Sequence, residues 1–237
     1  LEKSSDVETP FEYDFYYGWS NTFNSYQMMI VTIIAVCICL SSVFSGEYQS
    51  GADNIILTSK YGKTKLITAK IVSSFIFATI IFIVYLIFAV GSVWLMFGIE
   101  GWNLPIQIMN ILSVYPLTFL EAFLYNVGIS YAILLGMVGL TLFLSSKLKG
   151  SIAIFIIDIA IILIPSFFRI TSAFGIWNKI LLLMPYNSIC NNFSKMVSYQ
   201  FGNLVIDLPL MTIITYLVLM FVTFFFARRS FKKHQVT

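Results

Sequence analysis

The chain has 237 residues, of which 59% are hydrophobic and only 11% charged, with a formal net charge of +3. Soluble domains carry about 25% charged residues, and a mean hydropathy of +0.89 means more apolar surface than a soluble domain of this size can bury. Composition therefore excludes a cytosolic enzyme, a nucleic-acid binder and a disordered tail. It predicts an all-α, polytopic membrane protein whose solvent is the bilayer.

Residues 1–25 are polar, acidic and aromatic and read as an extracellular loop. Apolar stretches long enough to cross a hydrocarbon core of about 30 Å then fall at roughly 26–45, 71–97, 117–145, 151–168 and 207–227. The gap 46–70 carries Lys60, Lys63, Lys65 and Lys70, the gap 146–150 carries Lys147 and Lys149, and the tail 228–237 carries Arg228, Arg229, Lys232 and Lys233. Ten of the 14 basic residues thus share one side, which the positive-inside rule makes cytoplasmic. Glu2, Asp6, Glu8, Glu12, Asp14, Glu100, Glu121 and Asp207 fall on the other side. Trp94, Trp102, Tyr115, Trp177 and Tyr186 lie near that boundary, as an aromatic belt would. The expected orientation has the Leu1 end outside and the C-terminus inside. Residues 1–25 contain no apolar core of a signal peptide, so a further helix before Leu1 and six spans in all are expected.

Between the first two spans, residues 46–70 alternate polar and apolar groups. A short helix here puts Tyr48, Ala52, Ile55 and Ile56 on one face, with Glu47, Ser50 and Asn54 on the other. Such a helix would lie along the membrane surface; a solvated loop with interfacial lysines is the plainer reading. Gly62-Lys63-Thr64 has the ending of a phosphate-binding loop, but Leu57 stands where that motif needs glycine and no strand precedes it. Any ATP chemistry must come from another chain.

In the third span Gly128, Ala132 and Gly136 recur every four residues, with Gly139 nearby, a spacing that lets helix backbones approach closely in lipid. Packing within the chain and a subunit interface both fit. Tyr216, Met220 and Phe224 make a bulky stripe on the last span. Asp158 lies inside the fourth span, where an ionised carboxylate costs about 2.5–3.5 kcal/mol on insertion scales. A structural hydrogen bond, an interior lining role and ion coupling all remain open for it. Glu121 is close enough to the outer surface to be hydrated.

Cys37 and Cys39 are two apart on a helix and point in nearly opposite directions. With Cys190 they make an odd number without zinc spacing, so neither a disulfide framework nor a metal site is implied. Catalytic motifs are absent from the spans, and no catalytic residue is assigned. Residues 169–206 contain apolar runs too short to cross, which suit re-entrant or interfacial outer helices.

With these residues in view, the chain resembles a type-2 ABC transporter permease of Gram-positive bacteria. The resemblance rests on Glu47, Gly51, the apolar Ile55-Ile56-Leu57, and Lys63 and Lys70 leading into the next helix. The order of the spans extends it along essentially the whole chain. Thr58-Ser59-Lys60-Tyr61 departs from the Pro and Arg that many relatives carry there. The resemblance implies a cell-membrane exporter subunit working with two cytosolic ABC ATPase subunits and a second permease copy or sister permease. ATP and Mg would be held by the ATPases, and no cofactor by this chain. It makes residues 47–57 the coupling helix, with Glu47, Gln49, Ser50, Gly51, Asp53 and Asn54 as ATPase contacts. It implies a hydrophobic or amphipathic cargo, such as an antimicrobial peptide, a drug or a lipid-like molecule. A gradient-driven transporter using Asp158 and a non-transporting membrane subunit are the rival readings.

Overall fold

A computed structural model describes residues 16–52, 65–109, 113, 115–168, 175–191, 193, 197–202 and 204–233. It is mostly helical, at 81%. The helices are α1 (Tyr16–Gln27), α2 (Met29–Ser50), α3 (Ile67–Tyr85), α4 (Gly91–Phe97), α5 (Phe119–Ser145), α6 (Ser151–Leu163), α7 (Ile176–Leu183), α8 (Pro185–Asn191) and α9 (Leu208–Lys233). Among the described residues, four helical stretches are long and apolar enough to cross a membrane: Tyr17–Ser50, Ile67–Phe97, Phe119–Ser145 and Leu208–Ser230.

Three differences from the expected segments have local causes. Residues 16–25 are helical rather than looped, because Trp19, Thr22 and Tyr26 recur on one buried face of α1. Joined through Met28, α1 and α2 make a rod of 34 residues, about 51 Å at 1.5 Å per residue, longer than the hydrocarbon is thick. The fourth expected span, 151–168, is a shorter helix. Its α-helical part has 13 residues, and Pro165 sits in the tighter turn Ile164–Phe167 that ends it. Among its described residues the segment 169–206 contains two short helices, α7 and α8. It also contains an antiparallel hairpin, β1 (Ser198–Phe201) with β2 (Leu204–Asp207), turning at Gly202 with φ of 61°. That hairpin departs from an all-α reading.

At the centre stands α5, buried along nearly its whole length, with α2, α3, α6 and α9 around it. Its start is fixed locally. Thr118 accepts from the Glu121 amide at 3.3 Å while the Glu121 carboxylate accepts from the Thr118 amide at 2.9 Å, a capping box. Glu121 is therefore part of the helix cap.

The small stripe of α5 and the bulky stripe of α9 meet each other. A Cβ added at Gly136 would stand 2.7 Å from the Tyr216 ring and 3.0 Å from its carbonyl oxygen, and one at Gly139 would crowd the Met220 backbone at 3.3 Å. Ala132 is buried in the same core. Gly128 meets nothing within 4 Å and takes no part. The close approach is thus carried by Gly136 and Gly139, three apart, and it lies within the chain.

Hydroxyls pin the other contacts. Ser145 on α5 inserts into the α2 ladder: it donates to the Ser41 carbonyl at 2.8 Å and accepts from the Phe44 and Ser45 amides at 3.0 Å. Tyr26 donates to the Asn126 carbonyl at 2.5 Å and touches the Ser130 hydroxyl, fastening α1 to α5. In a bilayer such bonds replace the hydrophobic drive for helix association.

Candidate functional site

One end of the bundle is polar. α2 runs on as a single helix to Ser50 and is closed by Gly51 with φ of 70°, a left-handed cap that suits glycine. Glu47, Gln49 and Ser50 therefore occupy the last turn of a long helix rather than a separate surface helix. Of the other expected contacts, Asp53 and Asn54 lie outside the described residues.

Glu47 does not face outward for a partner. Its carboxylate is paired with the Lys70 ammonium from the first turn of α3, and the two side chains are only 15% and 25% exposed. Lys70 also donates to the Val43 carbonyl at 2.8 Å and lies 5.4 Å from the centre of the Phe44 ring. One ammonium thus neutralises Glu47, satisfies a carbonyl in the last turns of α2 and ties α2 to α3. The second Glu47 oxygen is buried and bonds to no described group.

The neighbouring residues fasten α2 to the turn between α5 and α6. Gln49 donates to the Lys149 carbonyl at 2.9 Å, and Tyr48 donates to the Ser146 carbonyl at 3.2 Å. Ser230 on α9 reaches the same Ser146 carbonyl at 3.4 Å. Ser50 turns back onto the Gly46 carbonyl at 2.9 Å and stays exposed. The flanks of the 51–66 segment, the 146–149 turn and the end of α9 therefore form one connected node. Lys65, Lys70, Lys147, Lys149, Arg228 and Arg229 all belong to this end of the bundle.

Inside the bundle, Asp158 on α6 is fully buried. Thr141 on α5 donates to one of its oxygens at 2.8 Å, while the other bonds to no described group. The Cys37 thiol of α2 neighbours both. Cys37 is buried and Cys39 exposed, as helical spacing requires. Among the described residues, no cluster of three or more His, Cys, Asp or Glu side chains could hold a metal ion.

A cleft of about 520 Å³ opens sideways between α3, α5 and α9. Phe75, Ile76, Leu135 and Phe221 line it, and its polar groups are Thr79 and Tyr131, bonded to each other at 3.0 Å. Such a surface accepts an alkyl or aromatic body and offers almost nothing to a polar one.

Sequence reasoning missed the Glu47–Lys70 pair and the Ser145 insertion. The Thr-x-x-Glu spacing at 118–121 was the one local signal that went unread. No family model, curated protein or solved structure matches the chain.

Proposed function

We propose that this chain is the permease subunit of an ATP-driven exporter of the type-2 ABC class, embedded in a plasma membrane with its polar end in the cytoplasm. The observation that carries the reading is the node at that end. The 51–66 segment joins α2 to α3, and its flanks are clamped by Lys70 to Glu47 and Val43. A push on the segment therefore moves both helices together, and through Ser146 and Lys149 it reaches α5, α6 and α9. A partner that binds one position of this lever better than another does work on the bundle.

In this reading α6 is a fifth, short crossing. Gln49, Ser50, Gly51, Asp53 and Asn54 face the ATPase, whereas Glu47 acts through Lys70 as a positioning residue. ATP and Mg reside on the two ATPase subunits, and the permease itself performs no chemistry. A second copy or a sister permease completes the pathway. The cargo is hydrophobic or amphipathic, which the apolar lateral cleft supports.

The test is affinity purification of the full-length protein from membranes in mild detergent, with an ATPase assay on the eluate. Co-purification of an ATPase, weakened at least tenfold by Asp53→Lys, supports the proposal. A folded protein that brings down no nucleotide-hydrolysing partner overturns it.

The half-satisfied carboxyl of Asp158 favours one rival, transport driven by an ion gradient. That reading requires flux without any ATPase and its loss in Asp158→Asn.

A further inference from the structure

At the end of the bundle opposite Glu47, α4 runs into a loop that closes on itself. Gly98 and Gly101 hold φ of 78° and 74°, left-handed values that suit glycine, and they bracket Ile99-Glu100. The loop is pinned from three sides. The Gly98 amide donates to the Trp94 carbonyl at 2.9 Å, the Trp19 indole donates to the Glu100 carbonyl at 2.9 Å, and the Leu120 amide donates to the Trp102 carbonyl at 3.1 Å. The result is a recess of about 610 Å³ lined by Trp94, Gly98, Ile99, Glu100, Gly101 and Trp102.

Its walls are rigid. Trp94 is wedged against Trp19 and Phe123, with ring centres 6.2 and 5.4 Å away. Trp102 lines the recess and is 52% exposed. The Glu100 carboxylate makes no ion pair or hydrogen bond with any described residue, and no cation lines the recess among the described residues. The Trp94 indole N–H is buried and also has no described partner. An interfacial belt of tryptophans explains the presence of the rings. It does not explain an acidic residue that lines the same recess without an ion pair among the described residues.

We propose that this recess binds an organic ammonium group. Two electron-rich indoles and one carboxylate form the environment that attracts a weakly hydrated cation, and the partly desolvated membrane boundary strengthens both attractions. An anion is repelled by Glu100, and a divalent metal needs more oxygen donors than one carboxylate supplies. Choline and ethanolamine carry such an ammonium group. The group arrives either on a zwitterionic lipid headgroup or on a soluble amphiphile. The site stands apart from the exporter reading, because it needs no ATPase.

The test uses the full-length protein in phosphatidylglycerol nanodiscs at moderate salt, titrated with choline while tryptophan emission is followed. The neutral control is 3,3-dimethylbutanol, which has choline's shape without its charge. Saturable binding of choline, at least tenfold tighter than the alcohol, is expected. Glu100→Gln, which keeps the backbone bond to Trp19, and Trp102→Ala should each weaken choline about tenfold, whereas Trp177→Phe should not. Equal response to choline and the alcohol, or binding unchanged in both Glu100→Gln and Trp102→Ala, overturns the proposal. Replacing part of the lipid by phosphatidylethanolamine separates the sources. Competition with choline assigns the site to a headgroup, and unchanged choline affinity assigns it to a soluble amphiphile.

Discussion

The two ends of the bundle solve the same problem by different means. At the aromatic end, α1, α4 and α5 are held by volume: Trp19 is buried among Phe23, Trp94, Phe119 and Phe123, stacked on Phe119 at 5.6 Å. At the polar end, α2, α3 and the 146–149 turn are held by directional bonds around Lys70, Gln49 and Ser146. Packing by volume tolerates no missing atoms, because the neighbours collapse only partly into a cavity. A network of charges tolerates no missing partner, but it can be replaced as a unit. The aromatic end is therefore held by shape, and the polar end by a set of partners that depend on one another.

Truncation should break the aromatic end most severely. Trp19→Ala removes a ring that is 2% exposed together with its bond to Glu100, and it should cost about 4 kcal/mol. Thermal unfolding in detergent reads this as a large fall in midpoint. A second truncation, Phe119→Ala, should deepen the loss. Lys70→Met should cost about 2 kcal/mol, because it strands the Glu47 carboxylate at a site only 15% exposed. Here the second change should repair the first: Lys70→Met with Glu47→Leu should recover most of the stability. If the double variant is no better than the single one, the polar end is not a replaceable unit and the contrast fails.

A smaller effect tests what lies between the ends. Gly136→Ala should cost about 1–3 kcal/mol, because the added methyl meets the Tyr216 ring and backbone together. Gly128→Ala, with nothing within 4 Å, should be neutral or slightly stabilising by the ordinary helix preference for alanine. Equal effects at the two glycines would mean that the spacing of small residues, rather than contact with α9, sets the stability.

Legibility in the sequence followed the range of the physics. Hydropathy is a sum over neighbours, so the long apolar helices, the likeness of Cys37 to a small buried hydrophobe and the opposite placing of Cys39 could all be read locally. The extension of the first span back to Tyr17 could not, because Trp19, Thr22 and Tyr26 are amphipathic only with respect to a partner helix. Glu47 is the sharpest case. A polar residue at a helix end reads as solvent-facing, and only the arrival of Lys70 from 23 residues away turns it inward. The same holds for Ser145, whose bonds to α2 span about 100 residues.

Composition by itself determined that this chain is a helical membrane protein, because burying so much apolar surface in water is impossible and a lone helix satisfies its own backbone in lipid. The tertiary structure alone decided which of two like-spaced glycines makes the contact, that Asp158 meets Thr141, and that Glu47 is spent inside the chain. Those outcomes depend on which helices become neighbours, and hydrogen bonds and close packing act only over a few ångströms, whatever the distance along the sequence.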